Sequence, residues 1–370
     1  MKFRNISSLL CLLAATALVV SAAGIGDYSA TMNSGKADLK SAGVMAFGPD
    51  GILFVGDSAG AAIHALDTGD RTPVSKAAKL NISALNEKIA GMLGSTPDQI
   101  LINDLQVNPI SKKAYVSVSR GLGPDAIPVI LYISGSGTID ELSLDDISHS
   151  SVSLSNAPGP DDKDGRGRPL RVQAITDLAY VDGRVFVAGL SNEEFASKLR
   201  SIPFPFVDAD HGASVEIFHG AHGRWETRSP VRTFVPYEIQ AESHLLAAYT
   251  CTPLVKFPVS DLKPGTKVVG TTIAELGNHN RPLDMVIYKK DGHDHILMSN
   301  SSRGVMKMST ENIESFGGIT EKTGETAGLP YETIAELKGV HQLDLLDEKN
   351  AVLIVQSESG SLDLKTIAVP

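Results

Sequence analysis

Five acidic residues recur at similar places in a repeating sequence pattern, and side chains of this kind could hold a cation. These residues are Asp104, Asp177, Glu238, Asp284 and Asp344. If each acid lies at the start of an innermost strand of a ring-shaped fold, all five side chains point towards one mouth of the central channel. Converging carboxylates repel one another unless a cation neutralises them, and oxygen ligands favour Ca²⁺ or Mg²⁺. Asn103, Arg281 and His341 lie beside these acids in the sequence and could enter the same mouth.

A structural role is the alternative for these acids. Aspartate side chains commonly accept hydrogen bonds from nearby backbone amides, and such bonds would hold neighbouring repeats in register. Recurrence in most repeats favours this alternative, because a binding site usually occurs once. Arg281 could also supply an internal counter-charge, which would make a cation unnecessary.

Histidines and a cysteine form the second candidate for chemistry. The group consists of His211, His219, His222, His244 and Cys251. Two imidazoles three residues apart at a turn can reach one ion, and a further histidine or the thiol would complete a zinc or copper site. No CxxC or HExxH motif accompanies them. Solvent-exposed loop histidines are therefore the alternative.

Other chemistries find little support in the sequence. The chain has no GxGxxG or P-loop motif, so the usual nucleotide sites are not indicated. Its one GxSxG sequence, from Gly56 to Gly60, lies in a repeat of short strands and not in the strand-turn-helix elbow of an α/β-hydrolase, so a serine-hydrolase site is not indicated either. The formal net charge is -10. Nucleic acids and anionic membranes attract clustered basic residues instead, so we expect no nucleic-acid partner.

The first 23 residues have the features of a signal peptide. Lys2 and Arg4 precede an apolar run from Leu9 to Val20, and small residues follow it. This run is too short to span a bilayer, which takes about 20 apolar residues. We therefore expect cleavage near Ala23, no stable membrane insertion, and a mature protein, residues 24–370, in the periplasm or outside the cell.

The elements that must position these side chains are short strands in a unit that recurs about six times. The unit first appears as VMAFGPDGILFVGDSAGAAIHALD, from Val44 to Asp67. Short strands joined by tight turns at this period are typical of a β-propeller. We predict an all-β propeller of six blades, with seven as the alternative, in a single domain. Residues 82–94 have helical spacing and predict a short helix between blades 1 and 2.

Ring closure and specificity are expected to come from different segments. Residues 362–369 and 28–40 are predicted to share one blade, so that the two chain ends close the ring. Long insertions, such as the one from Ser191 to Trp225, are expected to form the ligand-binding loops.

The segment FGPDGILFVGD, from Phe47 to Asp57, resembles the strand-turn-strand signature of NHL and SMP-30/gluconolactonase-like propellers, which belong with the six-bladed TolB-like folds. The resemblance implies the fold. SMP-30-like enzymes hold a divalent cation in the central channel through carboxylates and an asparagine, and this cation activates a lactone. The resemblance therefore also implies such a cation. NHL domains mostly bind proteins or RNA.

Three functional hypotheses follow. The first is an exported scaffold that binds a small molecule or a partner protein through its loop-rich face. The second is a metal-dependent lactonase or hydrolase, with Asp104, Asp177, Asp284 and Asp344 as ligands and Glu238 or His341 as the base. The third is a metal-handling or redox protein that uses the histidine and cysteine group.

Overall fold

Among the described residues, six sheets of almost entirely antiparallel strands surround a central channel, as predicted for a six-bladed propeller. The structure, a computed structural model, describes residues 28–251 and 253–370. The predicted signal peptide lies outside the described residues and stays a prediction. No helix among the described residues is long and apolar enough to cross a membrane. The alternative of seven blades is wrong, because the strands form six sheets.

The strands are numbered β1 to β27 in chain order, and the blades in the chain order of their innermost strands. Blade 1 contains β2 (Met45–Phe47), β3 (Ile52–Asp57), β4 (Ala62–Asp67), β9 (Ile147–Ser153) and β1 (Asn33–Gly35). Blade 2 contains β5 (Ile100–Val107), β6 (Ala114–Arg120), β7 (Ile127–Ile133) and β8 (Ile139–Glu141). Blade 3 contains β10 (Asp177–Val181), β11 (Arg184–Leu190), β12 (Ser197–Pro203), β13 (Ala213–His219) and β14 (Arg224–Glu226).

Blade 4 contains β15 (Val231–Ile239), β16 (Glu242–Tyr249), β17 (Pro253–Pro258), β19 (Thr271–Leu276) and β23 (Thr326–Gly328). Blade 5 contains β20 (Pro282–Lys290), β21 (His293–Asn300), β22 (Gly304–Ser309) and β24 (Glu332–Ile334). Blade 6 contains β25 (Val340–Asp347), β26 (Asn350–Gln356) and β27 (Leu362–Ala368). The remaining strand, β18 (Lys267–Val269), pairs in parallel with β13.

One α-helix and seven single turns of 3₁₀ helix complete the described structure. The helix α1 runs from Leu85 to Met92 between blades 1 and 2, which confirms the predicted helical insertion. The 3₁₀ turns are Tyr28–Thr31, Pro49–Gly51, Pro97–Gln99, Gly123–Asp125, Arg171–Gln173, Val259–Asp261 and Ile313–Ser315.

The predicted Asp-Gly turns form hairpins between first and second strands. Asp182 and Gly183 have φ values of 49° and 76°, and Asp291 and Gly292 have 51° and 84°. Two successive residues with positive φ characterise the type I′ turn, whose twist matches that of antiparallel strands. Because aspartate and glycine tolerate this conformation better than most residues, the sequence fixes these hairpins locally.

The hydrophobic core consists of six clusters, and each fills one interface between neighbouring blades. For example, Phe54 of blade 1 packs with Val187 of blade 3, whereas Met45 of blade 1 packs with Tyr115 of blade 2. Contacts between innermost strands give the same arrangement, so the order around the ring is blade 1, 3, 4, 5, 6 and 2. Blade 2 therefore lies out of chain order, between blades 6 and 1.

Blade 2 is an insertion within blade 1. After β4 the chain leaves blade 1, builds α1 and blade 2, and returns as β9, which pairs antiparallel with β4. The chain end β27 pairs with β26, whereas β1 pairs with β9 on the outer side of blade 1. The prediction that the two chain ends share a blade is therefore wrong.

The segment that leads into α1 completes blade 6 instead. Ile82 and Leu364 exchange two backbone hydrogen bonds, with N–O distances of 2.9 and 2.8 Å. Just beyond this bridge, the side-chain Oδ1 atom of Asn86 accepts a hydrogen bond from the backbone N–H of Leu362 at 2.9 Å. Residues 80–86 thus cover the outer edge of β27, which would otherwise expose unpaired backbone groups.

Replacing Asn86 with alanine is expected to lower the free energy of unfolding by about 1 kcal/mol, because the Leu362 N–H loses its acceptor. Chemical denaturation of both proteins measures this difference. Lys88→Ala in the same helix is the matched control, since Lys88 is exposed. Equal stability of Asn86→Ala and the control would contradict a role for residues 80–86 in holding blade 6.

Candidate functional site

Four of the five predicted acids connect neighbouring blades through their carboxylates. One oxygen of each accepts the backbone N–H of the following residue, and the other accepts a backbone N–H from the next blade. The bonds between blades are Asp104 to Met45 at 2.6 Å, Asp177 to Phe234 at 2.6 Å, Asp284 to Leu343 at 2.8 Å and Asp344 to Val107 at 2.7 Å. Every bond points the same way around the ring, so the four aspartates keep the blades in register.

Burial in the channel disfavours the charged form of these carboxylates. It raises the pKa of Asp177 to about 7 and that of Asp344 to about 6, although backbone hydrogen bonds oppose the shift. The pKa values of Asp104 and Asp284 also lie well above the usual range, because burial and the neighbouring aspartates act together. No lysine or arginine in residues 28–251 and 253–370 forms an ion pair with any of the four.

The four aspartates line the channel but do not converge on one point. No three of them bring carboxylate oxygens within 4.8 Å of one another. Both oxygens of each carboxylate already accept backbone hydrogen bonds. The geometry therefore favours the structural role over a set of ligands for a channel cation.

Glu238 does not belong with these aspartates. Blade 4 begins at Val231, so Glu238 lies at the far end of β15, where it pairs with Ser243 beside the hairpin turn and is exposed. The sequence pattern assigned Glu238 to the start of its repeat, but the first strand of blade 4 begins earlier, which places this acid away from the channel. The innermost strands of blades 1 and 4 carry no aspartate.

The three residues predicted to accompany the acids separate into two places. Asn103 and Arg281 line a cavity of about 850 Å³ at the channel end where the innermost strands begin. The Nδ2 atom of Asn103 donates to the carbonyl oxygen of Ala42 at 2.8 Å. His341 is exposed and lines a different cavity, of about 570 Å³, between blades 5 and 6.

Three arginines in the wall of the 850 Å³ cavity, Arg171, Arg232 and Arg281, have no carboxylate partner among the described residues, and Arg171 donates only to backbone carbonyl oxygens. Arg232 donates to neutral oxygens, Thr250 Oγ1 at 2.9 Å and Gln173 Oε1 at 3.0 Å. Arg281 is exposed, and no described residue forms a hydrogen bond or ion pair with its guanidinium. Burial, together with the nearby charges of Arg281 and Arg168, lowers the pKa of Arg232 to about 10. Like charges placed together in this way favour a bound anion.

Arg232 also lines a second cleft, of about 720 Å³, on the same face. The loop of residues 158–170 contributes to both cavities. Arg171 fixes this loop by donating to the carbonyl oxygens of Pro158 at 2.7 Å and Ser58 at 2.9 Å. The two cavities and this loop form the loop-rich face of the propeller. The sequence did not single out Arg232, although a basic residue between the apolar Val231 and Phe234 of a strand is a usable signal.

Two of the predicted histidines come together in the wall of the 720 Å³ cleft. His219 ends β13, His222 lies in the following turn, and their ring centroids are 3.9 Å apart. Glu226 on β14 lies against both, with Oε2 3.1 Å from His219 Nδ1 and Oε1 2.6 Å from His222 Nδ1. Glu226 is not among the residues predicted from the sequence. The spacing HxxHxxxE across a predicted hairpin would have indicated that this carboxylate lies near the two histidines.

The other three members of the histidine and cysteine group do not bring their side chains to this cluster. His211 is exposed and lies 3.5 Å from Glu193. His244 is buried beside the turn between β15 and β16, with Nδ1 2.9 Å from the carbonyl oxygen of Glu242. Cys251 lines the cleft, but it is the carbonyl oxygen that lies 3.4 Å from His219 Nε2. The predicted group of five is therefore reduced to His219 and His222.

The electrostatics of this cluster follow from its hydrogen bonds. Burial opposes the protonated form of His219, but the bond to Glu226 outweighs it and raises the pKa of the imidazole. Burial likewise opposes the charged form of Glu226, whereas hydrogen bonds from His219, Ser229 and His222 hold the pKa of this carboxyl well below its usual range. The hydrogen bond between Glu226 and His219 therefore favours the charged form of both groups.

No protein-family model and no curated protein matches the sequence. Among solved structures, the PQQ-bound aldose sugar dehydrogenase of Streptomyces coelicolor is similar at 12% identity and a TM-score of 0.35, over 90% of this chain and 97% of that one. A Thermus thermophilus protein described as an oxidoreductase (glucose dehydrogenase) gives 12% and 0.35, over 91% and 100%. An engineered GH43 glycoside hydrolase gives 15% and 0.35, over 74% and 51%. Similarity at this level carries no argument about the activity of this chain.

Proposed function

We propose that this β-propeller is an exported protein that binds a small anionic ligand on its loop-rich face. The observation that carries the proposal is the pair Arg232 and Arg281 in the wall of one 850 Å³ cavity, without a carboxylate partner among the described residues. A ligand with a carboxylate or phosphate group would compensate both charges through charge-assisted hydrogen bonds.

The shape of the face supports a small molecule as the ligand. Cavities of about 850 and 720 Å³ lie within the usual range for small-molecule sites, which is about 300–1,000 Å³. Asn103 lies in the same cavity wall as Arg281 and could position a polar group of the ligand. Export rests on the leader sequence alone, and the acidic net charge supports the absence of a nucleic-acid partner.

Isothermal titration of the mature protein with inorganic phosphate, citrate and gluconate, and with glucose as the uncharged probe, tests the proposal. At least one anion is expected to bind, and Arg281→Ala should weaken it by about tenfold or more, because a hydrogen bond to a charged group contributes about 1.5–3 kcal/mol. Binding should also weaken as NaCl is added.

Arg71→Ala is the matched control, because Arg71 lies in the loop after β4 and pairs with Asp67 outside both cavities. It should leave the affinity unchanged. Equal binding of glucose and the anions, or full affinity in Arg281→Ala, would contradict the proposal.

A further inference from the structure

His219, His222 and Glu226 have the arrangement of a metal site on the wall of the 720 Å³ cleft. One ligand atom from each lies within 4.8 Å of the other two, and no other group of three does so among the residues that the structure describes. The Nδ1–Oε distances of 3.1 and 2.6 Å compare with about 3.3 Å between ligand atoms around a tetrahedral zinc ion. The two separations would have to grow by about 0.2 and about 0.7 Å to admit an ion.

The hairpin of β13 and β14 explains why these residues meet. His219 pairs with Arg224, and Ile217 pairs with Glu226, so His219 and Glu226 are diagonal neighbours. Residues two apart on a strand share a face, which places both side chains on the same side of the hairpin. The tight turn at Gly223, with φ of 64°, brings His222 back over this side.

The two candidate ligands His219 and Glu226 make hydrogen bonds that would hold them in place around a metal ion. With Nδ1 as the ligand atom of His219, its Nε2–H faces the Cys251 carbonyl oxygen at 3.4 Å. Ser229 Oγ donates to Glu226 Oε2 at 2.5 Å. Such contacts fix the ring orientation of a ligating histidine and the position of a ligating carboxylate. Because His219 is buried and the side chain of Glu226 is only 10% exposed, these two side chains have little conformational entropy left to lose on binding.

We propose that His219, His222 and Glu226 bind a divalent transition metal of the zinc class. Two imidazoles and one carboxylate suit Zn²⁺, whereas Ca²⁺ prefers oxygen ligands throughout. Three protein ligands leave a fourth position, and it opens onto the cleft, because the side chain of His222 is 45% exposed there. Water or an oxygen atom of a ligand would fill it, as in zinc sites that carry out chemistry.

A hydrogen-bonded ion pair without a metal is the competing explanation. Glu226 accepts from both histidines, and Arg224 Nε lies 3.2 Å from Oε1. The side chain of Arg224 is 70% exposed and can leave this oxygen without breaking any buried contact. The two explanations therefore differ in one measurable property, the affinity for the metal ion.

Titration of the metal-free mature protein, residues 24–370, with ZnCl₂ tests this inference. No anionic ligand is added, so the result does not depend on the proposed function. One equivalent is expected to bind, and His222→Ala should weaken binding by about 100-fold, because replacing a residue that only orients a metal ligand already costs about 10–100-fold in affinity. His211→Ala is the matched control, because that side chain is 66% exposed and lies outside the cluster. It should bind Zn²⁺ as the unchanged protein does.

Absorption of the unchanged protein with Co²⁺ provides a second measurement that depends on no variant. Intense visible bands that Zn²⁺ abolishes are expected for a site with few ligands and mixed nitrogen and oxygen donors. Absence of stoichiometric Zn²⁺ binding, or equal affinity in His222→Ala and the unchanged protein, would overturn the inference. Zinc binding without anion binding would leave the metal site intact and contradict only the proposed function.

Discussion

Asp104→Ala is expected to lower the free energy of unfolding by about 2–5 kcal/mol. The carboxylate of Asp104 accepts the N–H of Met45 in blade 1 and that of Leu105 in its own strand, and the residue is buried. Alanine leaves both N–H groups without an acceptor, and each buried unsatisfied group costs about 1–3 kcal/mol. Relief of repulsion from Asp177 and Asp344 offsets part of this loss.

Urea denaturation followed by circular dichroism measures the effect. Asp146→Ala is the matched control, because Asp146 is an exposed aspartate in the segment before β9. It should change stability by less than about 0.5 kcal/mol. If Asp104→Ala is as stable as the control, then the aspartates do not hold the blades together, and a functional role for them regains support.

Stability should increase as the pH falls from 8 to 5, by at least about 2 kcal/mol. Asp177 and Asp344 have folded-state pKa values of about 7 and about 6, above the value of about 3.9 for an unfolded chain. The folded protein therefore binds more protons than the unfolded one in this range, and the free energy of unfolding rises as protons are added. Below about pH 4 the direction reverses, because the pKa of Glu226 is lowered on folding.

Thermal and urea unfolding across this pH range test the expectation. Asp177→Asn should make the pH dependence shallower, whereas Asp146→Asn should leave it unchanged. Adding millimolar Ca²⁺ at pH 8 distinguishes the two roles of the channel aspartates. No stabilisation is expected if they only connect blades; a large stabilisation that removes the pH dependence would instead show that a cation binds there.

The sequence by itself determined the all-β class, the strands and the hairpins, and it favoured six blades over seven. Asp182-Gly183 and Asp291-Gly292 specify type I′ turns through residues that tolerate positive φ, and the apolar runs beside them specify buried strands. The short helix before blade 2 also followed from spacing alone. These features are local, since the residues that cause them lie within a few positions of one another.

The tertiary structure alone decided which distant segments meet. The position of blade 2 between blades 6 and 1, and the cover that residues 80–86 give to β27, depend on which blades share a core interface. No local sequence pattern indicates which two blades are neighbours, because every blade presents similar apolar faces.

The candidate sites divide in the same way. Residue type and repetition identified four channel aspartates and two clustered histidines. Glu238 lies outside the channel because the first strand of blade 4 is long. Glu226 joins the two histidines because of the register of the β13–β14 hairpin. Arg232 and Arg281 come from different blades and meet only across the cavity. Chemical type is a local property of the chain, whereas a binding site depends on distances between side chains far apart in sequence, and only the folded ring sets those distances.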